Sequence, residues 1–535
     1  MKPVLQVDEL IISFEEIVVA GVSFDVFPGL TTAVVGESGS GKTVTSTAIM
    51  GLLPTNGHVV SGEVRGVNGE VWVDSERIVV TPVGREISMV FQDPMSSLNP
   101  SMKVGLQVAE PLQIHLGMGK SEAKTRVCEL FKEVELPYPE EAFKKYPHEL
   151  SGGQKQRVML AMALACNPKI LIADEPTTAL DVTVQATILN LLRRLQKERD
   201  LGILFITHDL EVVSDIADTI VVMRNGEVVE MGACSEVLNH PKHPYTKELI
   251  ESRPKRLHDG DGVINDAHPI IEAKGLVLNY VTKRNLLGQI KNVFTAVKNI
   301  DLKIQRGERV GLVGESGCGK STLGRLLLGL EKPTRGAVFW NGEVVDLDNR
   351  HTLKLFRRGA QPVFQDPFSA LNPKMEIGNA LCEAIGMSLE GEKLSKAEKL
   401  IEAGKLLEEV GLSKSDISRY PGAFSGGMRQ RIVLARALAV KPELLILDES
   451  VAALDLRIQA QILSLLSNIQ KKRSLSYLFI SHDLSVIHAV CDRIIIMKDG
   501  EIVEEGSASQ IFNSPTSSYT KHLLASRPGR GKLAV

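Results

Sequence analysis

The chain repeats itself, and this duplication limits what it can fold into more than any other feature. GESGSGKT at 36–43 returns as GESGCGKS at 314–321, which is 278 residues later. VFQDPMSSLNP returns as VFQDPFSALNP after 273 residues, and SGGQKQR returns as SGGMRQR after 274. The last offset also joins the YTK motifs near the ends of the two copies. Units this long are whole domains, because solenoid repeats span only about 20–50 residues.

The repeat predicts two domains, 1–254 and 270–535, with a linker at 255–269 between them. The segment between the copies, KRLHDGDGVINDAHP, is polar, rich in Gly and Asp, and without hydrophobic periodicity. Such a composition is typical of a linker.

Each copy has the pattern of an α/β domain. Short apolar runs bounded by helix breakers lie at 30–35, 170–173 and 203–207, with helical patterns between them. This alternation predicts a mostly parallel sheet covered by helices. Between Gln92 and Ser151 the pattern changes to amphipathic segments such as SEAKTRVCELFKEVEL. These segments predict a helical subdomain inserted into the α/β core.

Composition argues against several classes of function. The formal net charge of −3 disfavours nucleic acid as the main partner. The six cysteines lie far apart without a CxxC pair, which offers no zinc or iron–sulfur motif and fits free thiols in a reducing compartment. We expect no signal peptide, and the longest apolar stretches are about half of what a membrane-spanning helix needs. The chain is therefore expected to stay in the cytoplasm and to reach a membrane only through partners.

The motif GxxxxGK[ST] follows a β-like run and precedes a helical one in both copies. Its glycines let backbone N–H groups converge on a phosphate, and the helix dipole adds to the attraction. Lys42 and Lys320 can then reach the β- and γ-phosphates of a nucleotide, while Thr43 and Ser321 supply hydroxyls for Mg²⁺. The candidate nucleotide-binding residues of the two loops are Gly36, Glu37, Ser38, Gly39, Ser40, Gly41, Lys42, Thr43, Gly314, Glu315, Ser316, Gly317, Cys318, Gly319, Lys320 and Ser321.

An acidic pair ends a buried, strand-like run in each copy. Asp174 and Asp448 follow apolar segments, which places a carboxylate beside the phosphates, where it can hold Mg²⁺. Glu175 and Glu449 come next and can act as a general base or position an attacking water. A pair that merely caps the following helix is the alternative interpretation.

A histidine follows another strand-like run in both copies, in the phrases ITHDL and ISHDL. A lone histidine at a strand end is more often structural than catalytic. Because His208 and His482 stand at the same spacing from their acidic pairs, we predict that each contacts the γ-phosphate.

The phosphate loop, glutamine loop, LSGGQ signature, acidic pair, ALD loop and histidine, in that order and twice, resemble the nucleotide-binding domain of ABC transporters. The resemblance implies an α/β fold of two tandem phosphate-loop domains, each with a RecA-like core, an antiparallel β region and a helical subdomain. It also implies binding of ATP and Mg²⁺ and ATP hydrolysis. Gln92 and Gln365 would touch Mg²⁺ and water, and Asp181 and Asp455 would contact the opposite half.

The same resemblance implies that the two domains close head-to-tail over two ATP molecules and reopen after hydrolysis. The signature of one half would then clamp the ATP held by the lysine of the other half. The signature residues that would do so are Ser151, Gly152, Gly153, Gln154, Ser425, Gly426, Gly427 and Met428. An aromatic residue that stacks on adenine usually precedes the phosphate loop; the candidates are Phe14 in the first half and Tyr280 or Phe294 in the second, although core packing explains each equally well.

FQDPxSxLNP and the tails ending in SRP are similar to the peptide and nickel importer ATPases of bacteria. This subfamily implies two integral-membrane permease subunits, an extracytoplasmic solute-binding protein and a place on the cytoplasmic face of the inner membrane. The coupling surface would lie at 95–150 and 368–424. Peptides, nickel, glutathione and related solutes all fit these motifs. A soluble twin-cassette protein acting on ribosomes is the alternative, but its cassettes are usually joined by a long charged linker.

Three departures from the pattern lie in the second copy. Phe424 and Met428 stand where the first signature has Leu and Gln, and Ser450 replaces a proline after the acidic pair. We therefore predict two competent but unequal sites. Cys318 lies at a helix N-terminus, where a thiolate is favoured, so a reactive thiol is expected there; a small tolerated residue is the alternative.

Overall fold

The computed structural model describes residues 1–74, 82–177, 180–252, 256, 268–284, 290–364, 366–451 and 454–529. The described residues form two compact units, one of 1–252 with 527–529 and one of 256–526.

The strands of the first unit are β1 (Leu5–Ser13), β2 (Ile17–Val26), β3 (Thr31–Val35), β4 (His58–Arg65), β5 (Val71–Val73), β6 (Ile87–Val90), β7 (Ile170–Asp174), β8 (Gly202–Thr207), β9 (Thr219–Arg224) and β10 (Glu227–Ala233). Four of them form an antiparallel sheet in the order β2-β1-β4-β5. The other six form a sheet in the order β10-β9-β3-β8-β7-β6, parallel except for β10.

The helices of the first unit are α1 (Lys42–Ile49), α2 (Pro94–Ser97), α3 (Val104–Leu116), α4 (Lys120–Glu133), α5 (Pro139–Ala142), α6 (Gly152–Ala163), α7 (Val182–Arg199), α8 (Leu210–Ile216), α9 (Cys234–Asn239) and α10 (Pro244–Glu251). Helices α3, α4 and α6 pack together around a core that includes Val108, Leu112, Val127 and Phe131. This is the predicted helical subdomain.

The strands of the second unit are β11 (Ile271–Arg284), β12 (Ile290–Ile304), β13 (Arg309–Val313), β14 (Arg335–Trp340), β15 (Glu343–Val344), β16 (Ala360–Val363), β17 (Leu444–Asp448), β18 (Ser476–Ile480), β19 (Arg493–Lys498) and β20 (Glu501–Ser507). They repeat the first arrangement, with an antiparallel sheet β12-β11-β14-β15 and a sheet β16-β17-β18-β13-β19-β20 that is parallel except for β20.

The helices of the second unit are α11 (Lys320–Leu327), α12 (Arg350–Gly359), α13 (Pro367–Ala370), α14 (Ile377–Met387), α15 (Lys396–Glu409), α16 (Gly426–Leu438), α17 (Leu456–Arg473), α18 (Leu484–Val490), α19 (Ala508–Asn513) and α20 (Ser518–Ala525). The predicted fold class is confirmed in both units. No described helix combines the length and the apolar character needed to cross a membrane.

The parallel sheets determine where polar loops meet. In the first unit β3 and β7 are buried along their whole length, and both lie beside β8. Since neighbouring parallel strands end at the same edge, the loops that follow β3, β7 and β8 converge. In the second unit β13, β17 and β18 bring the equivalent loops together.

Candidate functional site

The first phosphate loop curves around the side chain of its own lysine. Gly39 and Gly41 have φ values of 83° and 98°, a region that glycine enters at little cost. Lys42 is only 6% exposed, and its Nζ donates to the carbonyl oxygens of Gly36 at 2.8 Å and Glu37 at 2.9 Å. The loop therefore has a tight turn that ends at the N-terminus of α1.

The second loop has the same geometry. Gly317 and Gly319 have φ values of 81° and 104°. Lys320 is 5% exposed and donates to Gly314 O at 2.7 Å and Glu315 O at 2.9 Å. Both loops thus meet the geometric requirements of a phosphate site at a helix N-terminus.

The structure contradicts the expectation that Cys318 is a thiolate. The side chain is 6% exposed, and its Sγ lies 3.9 Å from Lys320 Nζ. Burial raises the pKa of the Cys318 thiol above its usual value, and the smaller opposing effect of the lysine does not reverse this. Because burial disfavours the charged form, the thiol stays protonated and packs as a small apolar group.

A hydroxyl and a carboxylate approach each other beside each loop. Thr43 Oγ1 donates to Asp174 Oδ1 at 3.4 Å, and Ser321 Oγ donates to Asp448 Oδ1 at 3.1 Å. Burial raises the pKa of Asp174 to about 6 and raises that of Asp448. Hard oxygen donors of this kind are the ligands Mg²⁺ prefers, and a cation nearby would favour the charged form of each buried carboxylate.

The glutamate of the first acidic pair is held by a strained backbone and a histidine. Glu175 has a φ of 47°, which is uncommon for a non-glycine residue, and its N–H donates to Ile206 O at 2.9 Å. Its Oε1 lies 2.9 Å from His208 Nδ1. Such strain persists where the surrounding structure enforces it, often at a functional site.

The second glutamate repeats this arrangement. Glu449 also has a φ of 47°, and its Oε1 lies 3.2 Å from His482 Nδ1. The hydrogen bond from His482 lowers the pKa of Glu449. Burial alone would lower the pKa of His482, but the Glu449 carboxylate outweighs it and the histidine pKa is raised. The pair thus favours a charged carboxylate against a protonated imidazole.

The glutamine loop reaches the same carboxylate in the first half. Gln92 Nε2 donates to Glu175 Oε2 at 2.7 Å. Gln92 therefore lies beside the predicted general base, and its contact with Mg²⁺ and water stays a prediction. Its predicted counterpart, Gln365, lies outside the described residues.

Each signature motif begins a helix. Ser151 caps α6 by accepting from Gln154 N–H, while Gln154 Oε1 accepts from Ser151 N–H at 3.2 Å. Ser425 caps α16 by accepting from Met428 N–H, and the methionine cannot return the bond. A Cβ on Gly153 would lie 2.5 Å from a Val184 methyl group, so glycine allows α6 and α7 to approach closely.

The other predicted site residues have structural contacts of their own. Asp181 caps α7 by accepting from Val184 N–H at 2.9 Å, and Asp455 stands at the N-terminus of α17. Phe14 packs against the core of the first unit. Tyr280 and Phe294 face each other across β11 and β12 and are 38% and 54% exposed.

Two residues next to the loops were not among the predicted site residues. The hydroxyl oxygens of Tyr245 and Tyr519 accept hydrogen bonds from backbone N–H groups of the two phosphate loops. The signal was present in the sequence, because both tyrosines begin the repeated YTK motif.

Comparison with known proteins covers most of the chain. The family model "ABC transporter" matches residues 19–178 and 297–452. The model "Oligopeptide/dipeptide transporter, C-terminal region" matches 229–273 and 503–532. The peptidoglycan transport ATP-binding protein YejF of Agrobacterium fabrum is 43% identical over 533 residues, which span 98% of this chain and 96% of that protein. The glutathione import ATP-binding protein GsiA of Salmonella typhimurium is 41% identical over 541 residues, which span 95% of this chain and 86% of that protein.

Proposed function

The chain belongs to the ABC transporter family, and we propose that it is the ATP-hydrolysing subunit of a bacterial importer of peptides or related small solutes. The observation that carries this proposal is the twofold occurrence of one site, with a buried lysine in a phosphate loop and a glutamate against a histidine. The tails matching the oligopeptide/dipeptide transporter region and the relatives that transport peptidoglycan or import glutathione favour a peptide-like substrate.

In the proposed reaction the phosphate loops bind ATP through backbone N–H groups and the two lysines. Thr43 with Asp174 and Ser321 with Asp448 would hold Mg²⁺, which neutralises phosphate charge. Glu175 and Glu449 orient a water for attack on the γ-phosphate and accept its proton. His208 and His482 hold these carboxylates in place.

We propose that Gln92 reports the state of the phosphate site to the helical subdomain, because it joins Glu175 to the segment that leads into α2 and α3. We assign Gln365 the same role by its position in the repeat. ATP closes the two halves, each signature clamping the ATP held by the opposite lysine, and hydrolysis lets them reopen.

The adenine base has unequal surroundings in the two halves. Phe294 and Glu16 both stand 20 residues before the first glycine of their loops, at 314 and 36. Phe294 is exposed on β12, two residues before Ala296, whose carbonyl oxygen would lie 2.3 Å from a Cβ on Gly319. We propose that Phe294 stacks on adenine in the second site and that the first site has no aromatic group at the matching position, which Glu16 occupies. Phe14, the aromatic candidate of the first half, is partly buried against the core of its unit.

We propose that 1–254 and 270–535 are the two cassettes, that 255–269 links them, and that two permease subunits and a solute-binding protein complete the importer on the cytoplasmic face of the membrane. In the second half a groove of about 940 Å³ lies among α12, α14 and α16. Basic side chains dominate the charged groups lining it, namely Arg350, Lys354, Arg357, Arg358 and Arg436. Such a surface favours a permease segment with acidic residues.

The test is to purify the chain with two permease subunits of a peptide importer and measure ATP-dependent uptake of a labelled dipeptide or of glutathione into vesicles. We expect co-purification with the membrane subunits, uptake that requires ATP, and weaker co-purification for Arg350→Glu. Co-sedimentation with ribosomes, without membrane association, would instead favour a role in translation.

A further inference from the structure

The C-terminal helix of each half brings a tyrosine to the phosphate loop of that half. Tyr245, in α10, accepts a hydrogen bond of 3.2 Å from Glu37 N–H. Tyr519, in α20, accepts one of 3.2 Å from Glu315 N–H. Both tyrosines lie in the segments that match the oligopeptide/dipeptide transporter C-terminal region. The tails are thus in direct contact with the proposed nucleotide sites.

Each tyrosine ring is held by a cation from the end of a strand of the six-stranded sheet. Arg224, which ends β9, places its guanidinium carbon 4.7 Å from the centroid of the Tyr245 ring. Lys498, which ends β19, places Nζ 4.9 Å from the centroid of Tyr519. Tyr245 is only 1% exposed. The cation–π contact restricts where each hydroxyl can point, and burial restricts that of Tyr245 further.

The start of each C-terminal helix is fixed by a glutamate from the preceding strand. Glu230 of β10 accepts from Lys242 N–H at 2.8 Å and His243 N–H at 3.0 Å. Glu504 of β20 accepts from the N–H groups of residues 516 and 517 at 2.6 and 3.1 Å. Burial raises the pKa of Glu504, but the hydrogen-bond donors around it outweigh this and lower the pKa to about 2. The anchor of the helix is therefore charged at neutral pH.

The loop residue that donates to each tyrosine also contacts the lysine of its loop. The residue whose N–H binds Tyr245, Glu37, also accepts from Lys42 Nζ through its own carbonyl oxygen at 2.9 Å. Glu315 joins Tyr519 to Lys320 in the same way. In each loop the tyrosine hydroxyl thus binds the N–H of one residue, and the lysine ammonium binds the carbonyl oxygen of the same residue.

We propose that Tyr245 and Tyr519 are positioning residues that hold the two phosphate loops in the shape that binds the nucleotide, an inference that rests on the proposed ATP-binding function. A loop already in its binding shape loses less freedom when phosphate binds, so affinity rises without a direct contact to ATP. Because each half has its own tyrosine, the effect is local to one site.

The decisive experiment measures ATP affinity one site at a time. In a Lys320→Ala background only the site of Lys42 is expected to bind ATP, and there Tyr245→Phe should raise the Kd for ATP–Mg²⁺ about threefold to tenfold, the effect of one lost hydrogen bond. Tyr519→Phe in that background should leave the Kd within about twofold, because it leaves the hydrogen bond at the site of Lys42 intact. In a Lys42→Ala background the two substitutions should exchange their effects.

A third tyrosine is the matched control. Tyr477 is buried in the second unit and donates its hydroxyl to Leu466 O at 2.9 Å, away from both loops. Tyr477→Phe should lower the Tm without changing the Kd for ATP at either site. If Tyr245→Phe and Tyr519→Phe changed both sites equally, or changed neither, the proposal would be overturned.

Hydrogen exchange of the protein without nucleotide gives a second readout. Tyr245→Phe should speed exchange in a peptide covering 36–43 and leave a peptide covering 314–321 unchanged, and Tyr519→Phe should do the reverse. Unchanged exchange in both peptides would overturn the role of the tyrosines even if ATP binds normally. Failure of the unsubstituted protein to bind ATP would instead refute the proposed function, and the exchange result would still show whether the tyrosines hold the phosphate loops.

Discussion

The two halves of the chain place the same polar atoms around their phosphate loops and differ in the side chains that surround them. In each half a lysine donates to two loop carbonyl oxygens, a hydroxyl meets an aspartate, and a histidine lies within 3.2 Å of a glutamate. Even the unusual φ of 47° occurs at both glutamates. The groups that we propose to act in ATP hydrolysis are thus present twice.

The two halves differ at residues next to these polar groups. Ser40, Pro176 and Gln154 in the first half correspond to Cys318, Ser450 and Met428 in the second, and Glu16 corresponds to Phe294. Cys318 is buried, and Phe424 of the second signature is buried as Leu150 of the first is. These replacements change packing, capping and the proposed surroundings of the adenine base, and they leave the proposed reacting groups the same. Inequality between the halves should therefore appear in binding and coupling before it appears in the chemical step.

The largest effect is expected from removing the proposed general base in one half at a time. Glu175→Gln and Glu449→Gln should each lower ATP turnover of the complex reconstituted with its membrane subunits by about 100-fold or more, since general-base catalysis supplies about that much. Steady-state ATP hydrolysis measures this. Glu198→Gln, which alters an exposed carboxylate of α7, should leave turnover unchanged.

Similar losses from both changes would mean that ATP hydrolysis at the two sites is coupled, so that each site needs the other for turnover. Substantial activity in one variant would break the equivalence of the two glutamate–histidine pairs. The remaining glutamate would then identify the site that drives transport.

Much of this site could be predicted from the sequence because phosphate chemistry fixes residue types at fixed spacings. The loops, the acidic pairs and the histidines meet as expected, since each follows a parallel strand that ends at the same edge. Long-range packing could not be read in this way. The contact of Tyr245 with the loop joins residues 208 positions apart, and neither motif alone predicts it.

The burial of a side chain is the other property that the spacing of motifs in the sequence does not predict. The position of Cys318 at a helix N-terminus suggested a thiolate, but the packing around it excludes water and raises its pKa. In the same way Phe14 precedes its loop as an adenine-stacking residue would, yet it packs against the core of its unit. For Cys318 the tertiary environment favours one of the two interpretations that the sequence left open, whereas Phe14 is only partly buried and stays a candidate.

The second prediction tests the unequal surroundings of the base. In a Lys42→Ala background Phe294→Ala should weaken ATP binding about tenfold, because stacking of a base on an aromatic ring contributes about 1–3 kcal/mol. In a Lys320→Ala background Glu16→Phe should strengthen binding, whereas Glu16→Ala should change it little. Equilibrium binding of labelled ATP measures all three.

The outcome that contradicts this view is a normal affinity in Phe294→Ala. If Tyr280→Ala then caused the loss, the base would lie against the other exposed aromatic residue of the β11–β12 pair. If Phe14→Ala weakened the first site as strongly, the two halves would both use an aromatic contact, and the proposed difference would not exist.

The smallest effect is expected at the signature helices. Met428→Gln should let the side chain accept from Ser425 N–H, as Gln154 accepts from Ser151, and so complete the cap of α16. We expect a rise in Tm of about 1–3 °C, since such a cap contributes about 0.5–1 kcal/mol. Gln154→Met should lower the Tm by a similar amount, which calorimetry can measure. If turnover rose severalfold in Met428→Gln while the Tm stayed constant, the glutamine would act on ATP itself, and the two halves would differ in chemistry after all.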